Sequence, residues 1–212
     1  MTRICILVSG KARGTNMAAI IDACQRGEIP NSAVVLVIGT REDAPALQRA
    51  RERGVPTRVI NPKAFPDEEA YGATLLEALN AVQPHLICLA GYMRLLPANV
   101  VRAYPYRILN IHPALLPLFG GKGMYGLRVH EAVLQSGMKV AGCTVHFVDE
   151  QYDTGPIVLQ SVIEVRDDDT PETLAARLLP VEHATYIRAI RLFVEGRLKV
   201  EGRRVRVVEN GC

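Results

Sequence analysis

The sequence predicts an α/β protein: a mostly parallel sheet with helices on both faces, followed by an antiparallel C-terminal part. Two observations carry the parallel half. Short, nearly continuous apolar runs recur, and segments of helical composition separate them. That is the rhythm of strands buried on both faces. A third observation carries the antiparallel part. Residues 140–148 and 157–165 interleave polar and apolar side chains, and only eight residues join them. Eight residues are too few for the crossover that parallel neighbours need.

The elements follow in order. ICILVS (4–9) is a buried strand closed by Gly10. Residues 16–26 have helical composition, and Gly27 supplies the C-terminal stop. AVVLVIG (33–39) is a second buried strand, 44–53 a helix ending at Gly54, and TRVI (57–60) a third strand. Residues 67–82 form a helix with acidic residues in the first turn, where the dipole favours them. HLICLAG (85–91) and RILNIH (107–112) are the fourth and fifth strands, and 129–136 a helix ahead of the two longer strands. Thr170 and Pro171 make a helix start, as N-cap and first position. That helix runs toward Glu195 and is expected to kink or restart at Pro180. The tail LKVEGRRVRVV alternates about Glu201 and Gly202 and reads as a hairpin.

Bulk properties narrow the function classes. A chain of 212 residues suits one domain with a sizeable core. Net charge is +3 with scattered Lys and Arg, so nucleic acid is not the expected partner. The apolar run after Met1 is too short for a secretory segment or a membrane span. Cys5, Cys24, Cys88, Cys143 and Cys212 form no CxxC pair, which argues against a zinc site or a disulfide framework. The expectation is a cytoplasmic protein without a metal.

Three motifs carry possible chemistry. SGKARGTN (9–16) lies between the first strand and the first helix, where backbone N–H groups can face an anion. It matches neither a Walker A loop nor GxGxxG, and it could be an ordinary turn. In ILNIHPALLP (108–117), Asn110 and His112 share one face at the end of a strand. An amide can donate to an oxyanion and an imidazole can move protons near neutral pH, although a polar pair could simply close the strand. His146 stands alone on an apolar strand and is first read as a satisfied structural residue, with a possible supporting role. The following loop DEQYDTGP (149–156) holds Asp153 beside turn residues. An acid fixed next to an imidazole would raise that histidine's pKa. Lesser features are FGGKGMYG (119–126), a loop over the site or a long connection; GYMRLLP (91–97), a ligand-lining segment or a helix start; and 167–169, a solvated charge run.

Taken together and in order, ICILVSG with GTN, LAGYMRLLP, ILNIHPALLP, GCTVHFVDEQYDTGPIVLQ and VEHATY resemble the folate-dependent formyltransferases over nearly the whole chain. The resemblance implies a Rossmann-like formyltransferase fold, one domain in two halves. Residues 1–105 would bind phosphate and nucleotide, and 106–212 would bind folate and catalyse. It implies transfer of the formyl group of 10-formyltetrahydrofolate to the amine of phosphoribosylglycinamide. Asn110, His112 and Asp153 would be catalytic, and Gly14, Thr15 and Asn16 would hold the substrate phosphate. Glu182 would hold the amine end of the substrate. Met93, Arg94, Leu95 and Leu96, with Asn110, Gln151, Tyr152 and Asp153, would contact folate. Glu68 stands where some members carry an arginine near the folate tail. The expected partners are these small molecules, with the chain a monomer or a homodimer. Formyltetrahydrofolate hydrolysis is the nearest alternative, although hydrolases normally carry an extra N-terminal domain. A non-catalytic nucleotide- or folate-binding module is the alternative from another class.

Overall fold

A computed structural model describes residues 1–209, and Cys212 lies outside the described residues. The chain divides into two compact units, Met1–Asn110 and the residues from Ile111 onward.

The first unit contains β1 (Thr2–Val8), α1 (Thr15–Gln25), β2 (Ser32–Gly39), α2 (Pro45–Glu52) and β3 (Thr57–Val59). A short 3-10 turn, Pro62–Ala64, leads to α3 (Glu68–Val82), β4 (Leu86–Leu89) and α4 (Ala98–Ala103). Strand β5 (Ile108–His112) crosses the division. The order is β3-β2-β1-β4-β5, every pair parallel. Parallel crossovers are right-handed. The chain steps one way across the sheet from β1 to β3 and the other way from β3 to β5. The rule therefore puts α1 and α2 on one face, and α3 and α4 on the opposite face. The packing agrees, with α1 against α2 and α3 against α4. Between β1 and β4 the crossovers diverge, which leaves a crevice past the carboxyl ends of those strands, the usual ligand position in such sheets.

Local chemistry fixes the element ends. Gly27 and Gly54, both at positive φ, stop α1 and α2 as expected. The Asp67 side chain caps α3 by accepting the Ala70 N–H at 2.8 Å. Strand β1 is wholly buried from Ile4 to Val8. Helix α4 follows directly on 91–97, one of whose two readings was a helix start; the 3-10 turn was not foreseen, because three residues are too few to display a helical period.

The second unit holds α5 (Leu127–Gln135), β6 (Val140–Phe147), β7 (Ile157–Glu164), α6 (Pro171–Val194), β8 (Leu198–Glu201) and β9 (Arg204–Val207). Strands β6 and β7 are antiparallel, and β8 and β9 form the expected hairpin. The β6–β7 register shifts between Val145 and His146, so β7 spends an extra residue there. Such bulges re-aim side chains. Val133 of α5, Ala141 of β6 and Leu174 of α6 form a buried cluster, with Phe119, Leu134, Ile163 and Val165 packed against it.

Two expectations are corrected. Helix α6 runs through Pro180 as one element of 24 residues and does not restart. Pro180 and Ala176, whose carbonyl loses its N–H partner, are both exposed, so water can satisfy that carbonyl. Buried residues on either side, Leu174 and Leu178 before and Tyr186 and Ile190 after, hold the helix down. Within 167–169, Asp169 is not a solvated charge, since its side chain is 3% exposed. It accepts the Arg166 N–H at 2.8 Å and the Thr173 hydroxyl at 3.0 Å, and pairs with Arg177. It staples the entry to α6.

Thr170 and Thr173 cap each other's backbone N–H groups, at 3.2 and 2.9 Å. Thr170→Ala should therefore lower the unfolding free energy by about 1 kcal/mol in urea titrations. An unchanged midpoint would show that the cap contributes nothing.

Candidate active site

The loop after β1 sits at the crevice side of the first unit. The Ser9 backbone N–H donates to Gly91 O at 3.2 Å, and the Met93 N–H donates to Ser9 Oγ at 2.7 Å. The Gly10 N–H donates to Thr40 Oγ1 at 2.8 Å. These bonds tie the β1 and β4 loops together. Gly14 is the N-cap of α1, with φ 77°, and no side chain caps the helix there. The first turn also carries no acid. Helix N–H groups without a side-chain cap, in a positive local field, suit an anion. Glycine is required at 14 on two counts: the left-handed φ, and an added Cβ lying 2.7 Å from Ala46 of α2. Thr15 and Asn16 open the helix.

The second constellation lies in the second unit. Strand β5 ends at His112, two residues after Asn110, so the two side chains leave the same side of the strand. His112 is 4% exposed and His146 2%. The Asp153 side chain, 11% exposed, faces both: Oδ2 is 3.7 Å from His112 Nδ1, and Oδ1 is 3.6 Å from His146 Nε2. The other nitrogen of each ring meets a backbone carbonyl. His112 Nε2 is 2.8 Å from Phe119 O, and His146 Nδ1 is 2.8 Å from Phe147 O. A carbonyl only accepts, so each ring carries its proton on that nitrogen when neutral. Each neutral imidazole then turns a lone pair toward the same carboxylate. A proton added to His112 converts that repulsion into a charge-assisted contact.

The electrostatics follow. Burial opposes the charge on Asp153, but His146, His112 and the Gly121 N–H, at 2.9 Å, together hold its carboxyl below the usual range. Burial lowers the His112 pKa, and Asp153 with the Phe119 carbonyl only partly restores it. Asp153 does raise the His112 pKa, as an acid beside an imidazole should, but at 3.7 Å it does not outweigh desolvation.

The loop that carries Asp153 is braced on all sides. Asp153 has φ 55°, a left-handed conformation that aspartate tolerates. Asp149 accepts the Thr154 hydroxyl at 2.7 Å and the Gln151 N–H at 3.1 Å. Arg203 donates to Thr154 O at 3.0 Å from the β8–β9 turn. Phe147 N–H donates to Pro156 O at 2.9 Å, which brings Gly155 so close that an added Cβ would lie 1.7 Å from Phe147 O. The TGP turn is thus a packing requirement.

The other expected residues are placed as follows. Met93 and Leu95 are exposed on the loop after β4, whereas Leu96 is buried. Arg94 pairs with Glu68 at 2.5 Å. Gln151 is exposed and Tyr152 half-buried beside Asp153. Glu182 is buried on α6 near Cys143. Burial pushes that thiol up to about 11, and the Glu182 charge adds to it. His112, His146 and Asp153 are brought together.

Sequence reasoning missed the backbone partners, the Phe119 carbonyl and the Gly121 N–H, because main-chain groups leave no signature in residue type. It also missed Thr144 and Gln160. Thr144 Oγ1 donates to Ala114 O at 2.7 Å and accepts the Leu116 N–H at 3.0 Å, while Gln160 donates to Leu116 O and Thr144 Oγ1, both at 3.0 Å. They hold the loop after His112, in which Leu116-Pro117 is cis. The polar residues interleaved in β6 and β7 were the available signal. His130 of α5 is buried, its Nδ1 has no hydrogen-bond partner, and burial and His112 lower its pKa. Among the described residues, no group of three or more His, Cys, Asp or Glu could hold a metal, and no helix is long and apolar enough to cross a membrane.

A glycine-capped loop at the switch point of the sheet, and a buried carboxylate between two imidazoles, are the two features an α/β protein of this kind offers for chemistry. A family profile described as formyl transferase matches residues 2–190, and the chain belongs to that family. It is 42% identical over 210 residues to the chloroplastic phosphoribosylglycinamide formyltransferase of Arabidopsis thaliana, covering 98% of this chain and 70% of that one. It is 42% identical to the trifunctional purine biosynthetic protein adenosine-3 of Drosophila melanogaster, over 92% of this chain but 14% of that protein. Among solved structures, glycinamide ribonucleotide transformylase 1 from Symbiobacterium toebii matches with a TM-score of 0.91 and 50% identity, covering 99% of this chain and 95% of that one.

Two outcomes follow from the geometry. His112 should titrate below the ordinary 6.5 in NMR, and Asp153→Asn should move it lower still, since the carboxylate opposes burial. An upward movement would show that Asp153 does not act on His112. Gly155→Ala should cost about 1–3 kcal/mol of stability by overpacking against backbone. Unchanged stability in urea would mean the loop has room to move.

Proposed function

We propose that this chain transfers the formyl group of 10-formyltetrahydrofolate to the amine of 5′-phosphoribosylglycinamide, giving formylglycinamide ribonucleotide in de novo purine biosynthesis. The observation that carries the reading is Asp153 set between two imidazoles whose outer nitrogens are fixed by backbone carbonyls, in a chain of the formyl transferase family. Residues 1–105 serve as the phosphate- and nucleotide-binding half and 106–212 as the catalytic, folate-binding half of one formyltransferase domain.

The proposed chemistry is direct transfer without a covalent enzyme intermediate. The amine attacks the formyl carbon, the new C–N bond forms, and the carbonyl electrons move onto oxygen. The Asn110 amide donates to this oxyanion, and protonated His112 stabilises it. The amine then gives up a proton and the folate nitrogen takes one as its bond to the formyl carbon breaks. His112 and Asp153, with water, relay that proton, and His146 supports Asp153 from its other side. None of these steps calls for a metal. Gly14, Thr15 and Asn16 hold the substrate phosphate, and Glu182 the amine end. Met93, Arg94, Leu95, Leu96, Gln151 and Tyr152 line the folate. The protein works in the cytoplasm on small molecules, as a monomer or a homodimer.

The test is a folate-product assay with 10-formyltetrahydrofolate, with and without the ribonucleotide. Deformylation that requires the ribonucleotide is expected. Deformylation without it would replace this reading with hydrolysis, and none in either tube would point to a binding module. His112→Ala and Asp153→Asn should each lower kcat by about 10²–10⁴-fold with little change in KM. A raised KM at unchanged kcat would remove both from the chemistry.

A further inference from the structure

A cavity of about 350 Å³ opens at the opposite edge of the first unit's sheet, at the amino ends of β1, β4 and β5. Arg3, Asn80, Gln83, His85, Tyr104 and Arg107 line it, and none of its lining residues is acidic. Both guanidinium groups are fixed. Arg3 Nε donates to Val82 O at 3.1 Å and to Gln83 O at 2.9 Å. Arg107 Nε donates to His85 O at 3.0 Å, its Nη2 donates to Pro84 O, and the group lies 4.9 Å from the centre of the Tyr104 ring. These bonds close the carbonyls at the end of α3 and the turn into β4, which is one structural duty. They leave both terminal amino groups of Arg3, and Nη1 of Arg107, outside those bonds.

The histidine adds a third donor. His85 Nδ1 accepts the Arg3 backbone N–H at 3.0 Å, so the neutral ring carries its proton on Nε2. Two cations and an N–H donor therefore line one cavity without a counter-charge. We propose that this cavity is a second anion site, which takes the phosphate group of a small molecule. Arginine terminal amino groups match phosphate oxygens in pairs, and the cavity has room for more than a bare phosphate. The field in the cavity agrees: desolvation, then Arg3 and Arg107, hold the His85 pKa below its ordinary value. A bound dianion reverses the sign of that field and raises it.

The test follows the His85 imidazole signals of the full chain by NMR during titration with inorganic phosphate, and separately with ribose 5-phosphate. A saturable shift, with an upward-moved His85 titration, is expected. Equal affinity for both probes would assign the site to free phosphate, and tighter ribose 5-phosphate to a phosphomonoester; either supports the proposal. Arg3→Gln and Arg107→Gln should each weaken binding by about tenfold, the loss of one charge-assisted contact. Asn16→Ala should leave the His85 response intact. If Arg107→Gln fails to fold, Arg3→Gln decides. No saturable shift, the same shift from chloride at equal ionic strength, or loss of response only in Asn16→Ala would each overturn the site.

Discussion

Asp153 keeps a charged carboxylate in a nearly dry position, and much of the second unit's local design answers that constraint. A buried carboxylate is costly unless its lone pairs are met. Here the Gly121 N–H meets one at 2.9 Å, and an imidazole nitrogen of His112 and one of His146 stand 3.7 and 3.6 Å away. A proton on the His112 nitrogen would turn that approach into a charge-assisted contact.

The carbonyls of Phe119 and Phe147 matter as much as the acid. By accepting the outer N–H of each imidazole, they decide which nitrogen faces Asp153. Both are main-chain atoms of segments that are themselves anchored. Phe147 is paired with Pro156 across the tight TGP turn, and Phe119 follows the loop that Thr144 and Gln160 hold. The chemistry thus rests on backbone placement, which mutation of any one side chain cannot supply.

The first unit solves a different problem by different means. Its loop after β1 buries no charged side chain, since Lys11 and Arg13 are exposed. It uses an uncapped helix start, a glycine pressed against α2, and the Ser9 link to the loop after β4. The crevice itself comes from the diverging crossovers between β1 and β4, so strand order creates the place and the loop supplies the donors.

The alternation of apolar runs and helical segments was enough to place nearly every strand and helix, since burial on both faces leaves a plain mark in composition. Asn110, His112 and Asp153 were legible because polar residues at strand ends and turns stand out against an apolar background. What the sequence could not show was charge balance. Asp153 does push the His112 pKa up, but burial outweighs it, and burial depends on what packs around the ring. The sequence left His146 between a structural and a supporting role, and the structure sets the ring against Asp153, beside the β6–β7 register shift. It expected Pro180 to kink or restart α6; the helix does not restart there, where Ala176 and Pro180 are exposed and buried residues on either side hold it down. By itself the sequence determined most of the elements and pointed to candidate residues at strand ends and turns, because those are local matters of period and residue type. Tautomers, proton affinity and the bracing of the loops were decided only by tertiary structure, because they depend on distances between atoms far apart in the chain.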